Sequence, residues 1–261
     1  MKLKQSLLTV AGAAALLFGG QASATAVGLE LMLLIDVSGS VDATEYNLQK
    51  QGYVDAFKSL AVQNAILGSQ GGSIAVTYIE WSSYNQLSTK VVWTLIDSAT
   101  SANSFANLIN GTTRAFSDST AIQDAIGKSY KGFGTEVGGT DNGFESLRQV
   151  IDVSGDGADN DSRSFIRLGG GRDAAILAGV DAINGIYILG EGGLATYYND
   201  NVKGGATGFT MAANSFGDFA TAIEAKLVKE ISQTVPEPTS LALVGLALLG
   251  AGAVRRRATQ S

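Results

Sequence analysis

Between Leu29 and Ile35 the chain is apolar at every position except Glu30, and the run stops at an aspartate, Asp36. A strand with one wet face would alternate apolar and polar residues. A short unbroken run bounded by Asp and Ser fits a strand covered on both faces, as in a parallel sheet between helices. The rest of the chain therefore has to supply helices for two sides, and its pattern does so. Asp42 followed by Glu45 is a capping-box-like helix start, with Tyr46, Tyr53, Phe57 and Leu60 on one face. Ser73–Trp81 and Lys90–Ile96 are rich in β-formers and flank the polar turn Ser82–Ser88, which predicts a hairpin. Helical patterns follow at Ala102–Ile109 and Thr120–Lys131, then a glycine-rich loop, Gly132–Gly143, and a buried-looking strand, Leu147–Val153. Asp173–Ala182 reads as a helix and Ile183–Leu189 as a strand in which Asn184-Gly185 suggests a bulge. Phe216, Phe219, Ile223, Leu227 and Ile231 form the stripe of a last helix. No repeat and no internal linker interrupts this order. It predicts an α/β fold: a Rossmann-like open, mostly parallel sheet with one antiparallel edge hairpin and helices on both faces.

What such a domain can do is narrowed by what it lacks. The 261 residues include no cysteine and no histidine. Disulfides, thiol nucleophiles, histidine acid–base catalysis and zinc held by Cys or His are excluded. Carboxylates, hydroxyls and backbone groups remain, a set suited to a hard, oxygen-seeking cation.

The two ends read as addresses rather than as fold. Residues 1–26 begin with Lys2 and Lys4, continue through an apolar stretch from Leu7 to Phe18 and close on small residues, Ala22-Ser23-Ala24 or Ala24-Thr25-Ala26. This is the pattern of a cleaved secretory leader. Residues 235–261 hold both prolines of the protein in Val235-Pro236-Glu237-Pro238, then an apolar run, Leu241–Val254, then Arg255-Arg256-Arg257. As a helix that run reaches about 21 Å, short of a hydrocarbon core of about 30 Å. The tripartite tail resembles the PEP-CTERM sorting signal of Gram-negative bacteria. The resemblance implies passage across the inner membrane, cutting by an exosortase and delivery to the cell surface or extracellular matrix. A plain C-terminal membrane anchor is the alternative. Without Lys2, Lys4 and the three arginines, 13 basic residues face 24 acidic ones up to Val254. That balance argues against nucleic acid or anionic lipid as partner of the domain over residues 27–234.

In an open parallel sheet ligands collect beyond the carboxyl ends of the strands, at the switch point of strand order. The first strand runs directly into Asp36-Val37-Ser38-Gly39-Ser40, one carboxylate and two hydroxyls at alternate positions on a turn loosened by Gly39. Ser119-Thr120 opens a helical pattern, and Asp152-Val153-Ser154-Gly155-Asp156-Gly157 leaves a later strand with Asp156 between glycines. Three loops thus offer oxygen ligands at one sheet edge, a donor set that favours Mg²⁺ over zinc.

On these residues the chain resembles a von Willebrand factor type A domain with its metal-ion-dependent adhesion site, over about Leu29–Glu230. Asp36, Ser38 and Ser40 match the D-x-S-x-S motif, Thr120 the threonine loop and Asp156 the distal aspartate. Asp36–Tyr46, Ala75–Trp81, Val150–Asn160, Arg172–Ile188 and Tyr197-Tyr198 are similar to a bacterial exported family of unassigned function, in which glycine more often stands at the position of Ser119. The resemblance implies Mg²⁺ (with Mn²⁺ or Ca²⁺ as substitutes) held by Ser38, Ser40 and Thr120, with Asp36 and Asp156 acting partly through water. One coordination position would stay open for an oxygen of a protein or of an acidic or polysaccharide ligand at the cell surface. Asp42, Asp159 and Asn160 are candidates for the ligand rim. Trp81, Trp93, Tyr197 and Tyr198 read as packing residues, and Gly132–Gly143 lacks the acidic spacing of an EF-hand.

The expected function is adhesion or extracellular matrix and biofilm assembly, without catalysis. No G-x-S-x-G elbow, Walker A loop or G-x-G-x-x-G occurs. A metal-dependent hydrolase and a structural matrix protein with a vestigial metal site are the alternatives. A set of carboxylates and hydroxyls also predicts a metal affinity that hardly changes between about pH 6 and 8.

Overall fold

The computed structural model describes residues 24–165 and 169–233. Most of the leader and the whole tail, 235–261, lie outside the described residues.

Among the described residues eight strands and seven α-helices follow one another along the chain. β1 (Thr25–Val27) and β2 (Leu29–Asp36) precede α1 (Ala43–Lys58) and α2 (Leu60–Leu67). The hairpin β3 (Ile74–Trp81) and β4 (Leu87–Ile96) leads to α3 (Ala99–Asn110) and α4 (Ile122–Ser129). β5 (Phe144–Ser146), β6 (Gln149–Gly155), α5 (Gly170–Ala178) and β7 (Ala182–Ile188) follow, then α6 (Leu194–Tyr197), β8 (Thr210–Ala213) and α7 (Phe219–Ser232). Six strands form one sheet in the order β4-β3-β2-β6-β7-β8, parallel throughout except at β4, and β1 pairs separately with β5. The anticipated architecture is present.

All eight residues of β2 are buried. Leu31, Leu33 and Ile35 face one core, shared with α1, α2, α3 and α7. Met32 and Leu34 face the other, shared with α4, α5 and α6. Glu30 belongs to this buried set: its carboxylate accepts hydrogen bonds from Asn142 Nδ2 at 2.6 Å and Ser146 Oγ at 2.9 Å, so it anchors the glycine-rich loop. Burial raises its carboxyl to about 7, against the lowering by those two bonds.

Several boundaries differ from the sequence reading. Ser59 turns extended and accepts a hydrogen bond from Val62 N at 3.2 Å. It ends α1 and starts α2, which leaves Leu60 off the core face and 76% exposed. Leu147 precedes β6 and is exposed rather than buried. α4 begins two residues after Thr120, because Ala121 is non-helical. α5 stops at Gly179, whose φ of 118° frees the chain for β7. Asn184-Gly185 is no bulge: β7 keeps continuous register with β6, with Asp152 opposite Asn184 and Val153 opposite Gly185. A Cβ at Gly185 would come within 2.6 Å of the Tyr198 ring, which explains the glycine by close approach. The short strands β1, β5 and β8 carry no alternation long enough to read.

α7 runs from the carboxyl end of the sheet to its amino end. There Arg148, just before β6, donates from Nη2 to Glu230 O at 3.0 Å and to Gln233 Oε1 at 3.3 Å, and from Nη1 to Gln233 O.

Candidate metal centre

β2 and β6 are neighbours at the centre of the sheet, and the chain leaves them toward opposite sides, so a crevice opens beyond their carboxyl ends. Asp36 stands at the end of β2, fully buried. Its Oδ1 accepts the backbone N–H of Ser38 at 2.8 Å, which turns the loop over the strand end. Ser38 Oγ lies 3.2 Å from Ser40 Oγ, and Thr120 Oγ1 donates to Ser38 Oγ at 3.2 Å. Ser40 Oγ donates to Asp156 Oδ1 at 2.7 Å. The five residues read as a set in the sequence are therefore joined, from three separate loops.

Residues not singled out in the sequence hold this loop in place. The Arg114 guanidinium donates to Val37 O at 2.9 Å and to Ser38 O at 2.7 Å. Gln49 Nε2 donates to Asp36 O at 3.1 Å, and Gly39 N–H to Asp118 O at 2.6 Å. The threonine loop is pinned by the hairpin turn: Ser82 Oγ donates to Ser119 O at 3.0 Å and Ala121 N–H to Ser82 O at 3.0 Å. Ser119 does this without a left-handed backbone, so no glycine is required at this position.

The three rim candidates all hold backbone at the edge of the site. Asp42 caps α1, accepting from Thr44 N at 2.7 Å and Glu45 N at 2.9 Å in a complete capping box. Asp159 Oδ2 accepts from Gln123 N at 2.8 Å, and Asn160 Oδ1 from Thr120 N at 3.0 Å. The acidic groups that line a cleft beside Asp156 are Glu45 and Glu191, together with Ile188 and Phe216, around about 240 Å³. Glu45 is visible in the sequence only as a capping residue, and Glu191 carries no local signal.

Asp36 Oδ2 and the hydroxyl of Tyr198 are fully buried and lack a hydrogen-bond partner. Both lie 2.7 Å from the position a Cβ on Gly155 would occupy, so that glycine keeps the space between them open. Burial pushes the Asp36 carboxyl up to about 7; the Ser38 hydrogen bonds and Arg114 oppose this, and Asp156 adds to it. Asp156 is raised too, by burial and by Glu45 and Glu191, against Ser40. These shifts run counter to the flat pH dependence drawn from the sequence. A buried carboxyl at about 7 must release its proton for a cation to bind.

Among the described residues no three His, Cys, Asp or Glu side chains come together as a metal-holding group. The set here has two carboxylates and three hydroxyls. An orphaned carboxylate oxygen, a second raised carboxylate and three hydroxyls fit a small hard dication, with water completing its shell.

The fold is that of a von Willebrand factor type A domain. Proximal thread matrix protein 1 of the mussel byssus superposes with a TM-score of 0.56 at 17% identity, over 80% of this chain and 48% of that one. A second structure of that protein has zinc in its metal-ion-dependent adhesion site, with a TM-score of 0.55 at 16% identity and the same coverage. The pilus adhesin SpaC of Lactobacillus rhamnosus GG gives 0.56 at 12%, over 80% of this chain and 31% of that one. A von Willebrand factor type A protein of Catenulispora acidiphila gives 0.50 at 10%, over 79% and 42%. The chain thus spans from about a third to about half of the length of these proteins. No curated protein matches it.

Within that fold the chain belongs to the family described as protein of unknown function DUF1194, whose profile matches residues 26–235. Residues 234–257 match the PEP-CTERM protein-sorting motif, which marks an exported protein sorted to the surface of a Gram-negative cell. Among the described residues no helix is long and apolar enough to cross a membrane.

Proposed function

We propose that this domain binds a partner at the cell surface through a divalent cation, Mg²⁺ first and Mn²⁺ or Ca²⁺ as substitutes. Asp36, Ser38, Ser40, Thr120 and Asp156 hold it. The observation that carries the reading is the oxygen cluster itself. Four side chains from three loops, Ser38, Ser40, Thr120 and Asp156, are joined by contacts of 2.7–3.2 Å, and Asp36, which accepts the Ser38 N–H at 2.8 Å, adds a buried carboxylate oxygen that has no partner.

Neutral hydroxyls leave most of the cation's charge unspent, so an open coordination position attracts an anionic oxygen. A protein of net negative charge can in this way hold an acidic protein or polysaccharide in adhesion or in matrix and biofilm assembly. The reading is non-enzymatic. Export takes a signal peptidase at the leader and an exosortase at the tail, with only transient membrane association. The neighbour from the byssus is named as a matrix protein, which supports a second reading: a structural matrix component whose metal site is vestigial.

Adding Mg²⁺ to the full chain separates the two. Cation binding to the native state raises the melting temperature by mass action, about 2.7 kcal/mol at a hundredfold excess over Kd. The expected result is a rise that the Ser38→Ala/Ser40→Ala variant lacks, with EDTA-sensitive retention at the cell surface. No rise in either protein removes the cation from the function and leaves the structural reading.

A further inference from the structure

α7 presents the apolar stripe Phe219, Ile223, Leu227 and Ile231 to the sheet, yet two charged residues one turn apart, Lys226 and Glu230, are buried on it with no exposed surface. Facing them from the middle of β6 is Asp152, also without exposed surface. Lys226 Nζ lies 2.5 Å from Asp152 Oδ1 and 2.5 Å from Glu230 Oε1. Asn184 on β7 fixes Glu230 by donating from Nδ2 to Oε1 at 2.8 Å, while its own Oδ1 accepts Phe209 N–H at 2.9 Å. The lysine is thus pressed against two carboxyl groups in a dry interior.

The contact with Asp152 lacks the alignment of a hydrogen bond: neither carboxylate oxygen of Asp152 has a hydrogen-bond partner, and nor does Glu230 Oε2. Two carboxylates facing one ammonium leave a net buried negative charge, which is costly. Burial raises both carboxyls, Glu230 to about 7; the charge of Asp152 adds to the shift of Glu230, whereas Lys226 opposes both shifts and Glu230 opposes that of Asp152. Passing one proton from the ammonium to Asp152 changes no net charge. It leaves a neutral amine against a neutral acid. That pair is a nucleophile held on an electrophile, with the encounter entropy already removed by the fold.

We propose that Lys226 and Asp152 form an isopeptide bond, closed autocatalytically in the folded protein with Glu230 as the proton carrier. Lys226 Nζ attacks Asp152 Cγ and the N–C bond forms. The Glu230 carboxylate takes a proton from the nitrogen and returns it to the departing hydroxyl, and the Cγ–O bond breaks. One carboxylic acid and one amine become one amide and one water, with no oxidant, reductant or added reactant. The bond fastens α7 to the central strand β6.

Mass spectrometry of the full chain after denaturation and trypsin tests this directly. The expected product joins Gln149–Arg163 to Gly204–Lys229, is lighter than the sum of the two peptides by one water, and is uncut after Lys226. Glu230→Gln keeps the amine and the acid, so the two peptides are expected to separate at full mass in that variant. Free Gln149–Arg163 and Gly204–Lys226 from the wild type overturn the bond, whatever the variants do. Water lost inside Gln149–Arg163 alone, as a cyclic imide at Asp156-Gly157, overturns it too, and loss of ammonia with a link to Asn184 overturns the choice of Asp152. A joined pair that persists in Glu230→Gln overturns the role of Glu230.

Discussion

Asp36 is asked to be buried and to be charged, and without a cation it cannot comfortably be both. Its carboxyl sits at about 7 against an ordinary 3.8, mainly through burial. A group with a raised folded pKa adds stability that is whole below its unfolded value and is lost as pH rises through the folded one. The metal-free protein is therefore expected to lose melting temperature between about pH 4 and pH 7, and Asp36→Asn to lose less over that window. The Mg²⁺-induced rise should grow from pH 6 to pH 8 as the proton leaves, and differential scanning calorimetry in EDTA and in Mg²⁺ reads both. A Mg²⁺ response flat across that range would contradict the burial argument. Arg114 belongs at the same scale. Its two bonds to the carbonyls of Val37 and Ser38 hold the loop that carries Ser38 and Ser40. Bonds from a charged donor contribute about 1.5–3 kcal/mol, so Arg114→Ala is expected to weaken Mg²⁺ binding by roughly tenfold or more in titration calorimetry. The five-residue oxygen set was legible because D-x-S-x-S falls within one turn and the other two loops follow recognisable elements. Arg114, Gln49 and Tyr198 were not, because each reaches the site from a distant segment with no spacing of its own to mark it.

Among elements, β6 and β7 show what a glycine on a central strand is for. Gly155 leaves the space between Asp36 Oδ2 and the Tyr198 hydroxyl, and Gly185 admits the Tyr198 ring. Gly155→Ala places a methyl 2.7 Å from both oxygens, and overpacking of this kind costs about 1–3 kcal/mol. Chemical denaturation should show that loss, and the Mg²⁺ response should fall with it. An unchanged midpoint would mean the crevice is looser than the contacts indicate. β1 bears on processing. Thr25 N–H donates to Gly143 O at 2.8 Å and opens the pairing with β5. Of the two small-residue sites only a cut after Ala24 keeps that strand whole, so amino-terminal sequencing of the exported protein is expected to begin at Thr25. A chain beginning at Val27 would lack two of the three residues of β1. Long elements were readable from period and caps. Their ends were not, because Ser59, Ala121 and Gly179 decide them by backbone conformation, which hydropathy does not encode. Lys226 and Glu230 were invisible for the opposite reason: charged residues in a helix read as its wet face until Asp152 is seen opposite.

At the scale of the molecule, the fold followed from one almost wholly apolar strand and the helical patterns that follow it, whereas strand order did not, since β2 neighbours β6 through a crossover that no local pattern announces. The same topology sets two poles. The oxygen cluster sits where β2 and β6 end, and Gln233, the last described residue before the sorting segment, is clamped by Arg148 where β6 begins. Seven residues of strand separate those poles, about 23 Å. A domain attached through Gln233 is therefore expected to carry its oxygen cluster at the end away from the attachment, like a lamp on its post. Crowding such molecules side by side on a surface would leave every face unobstructed.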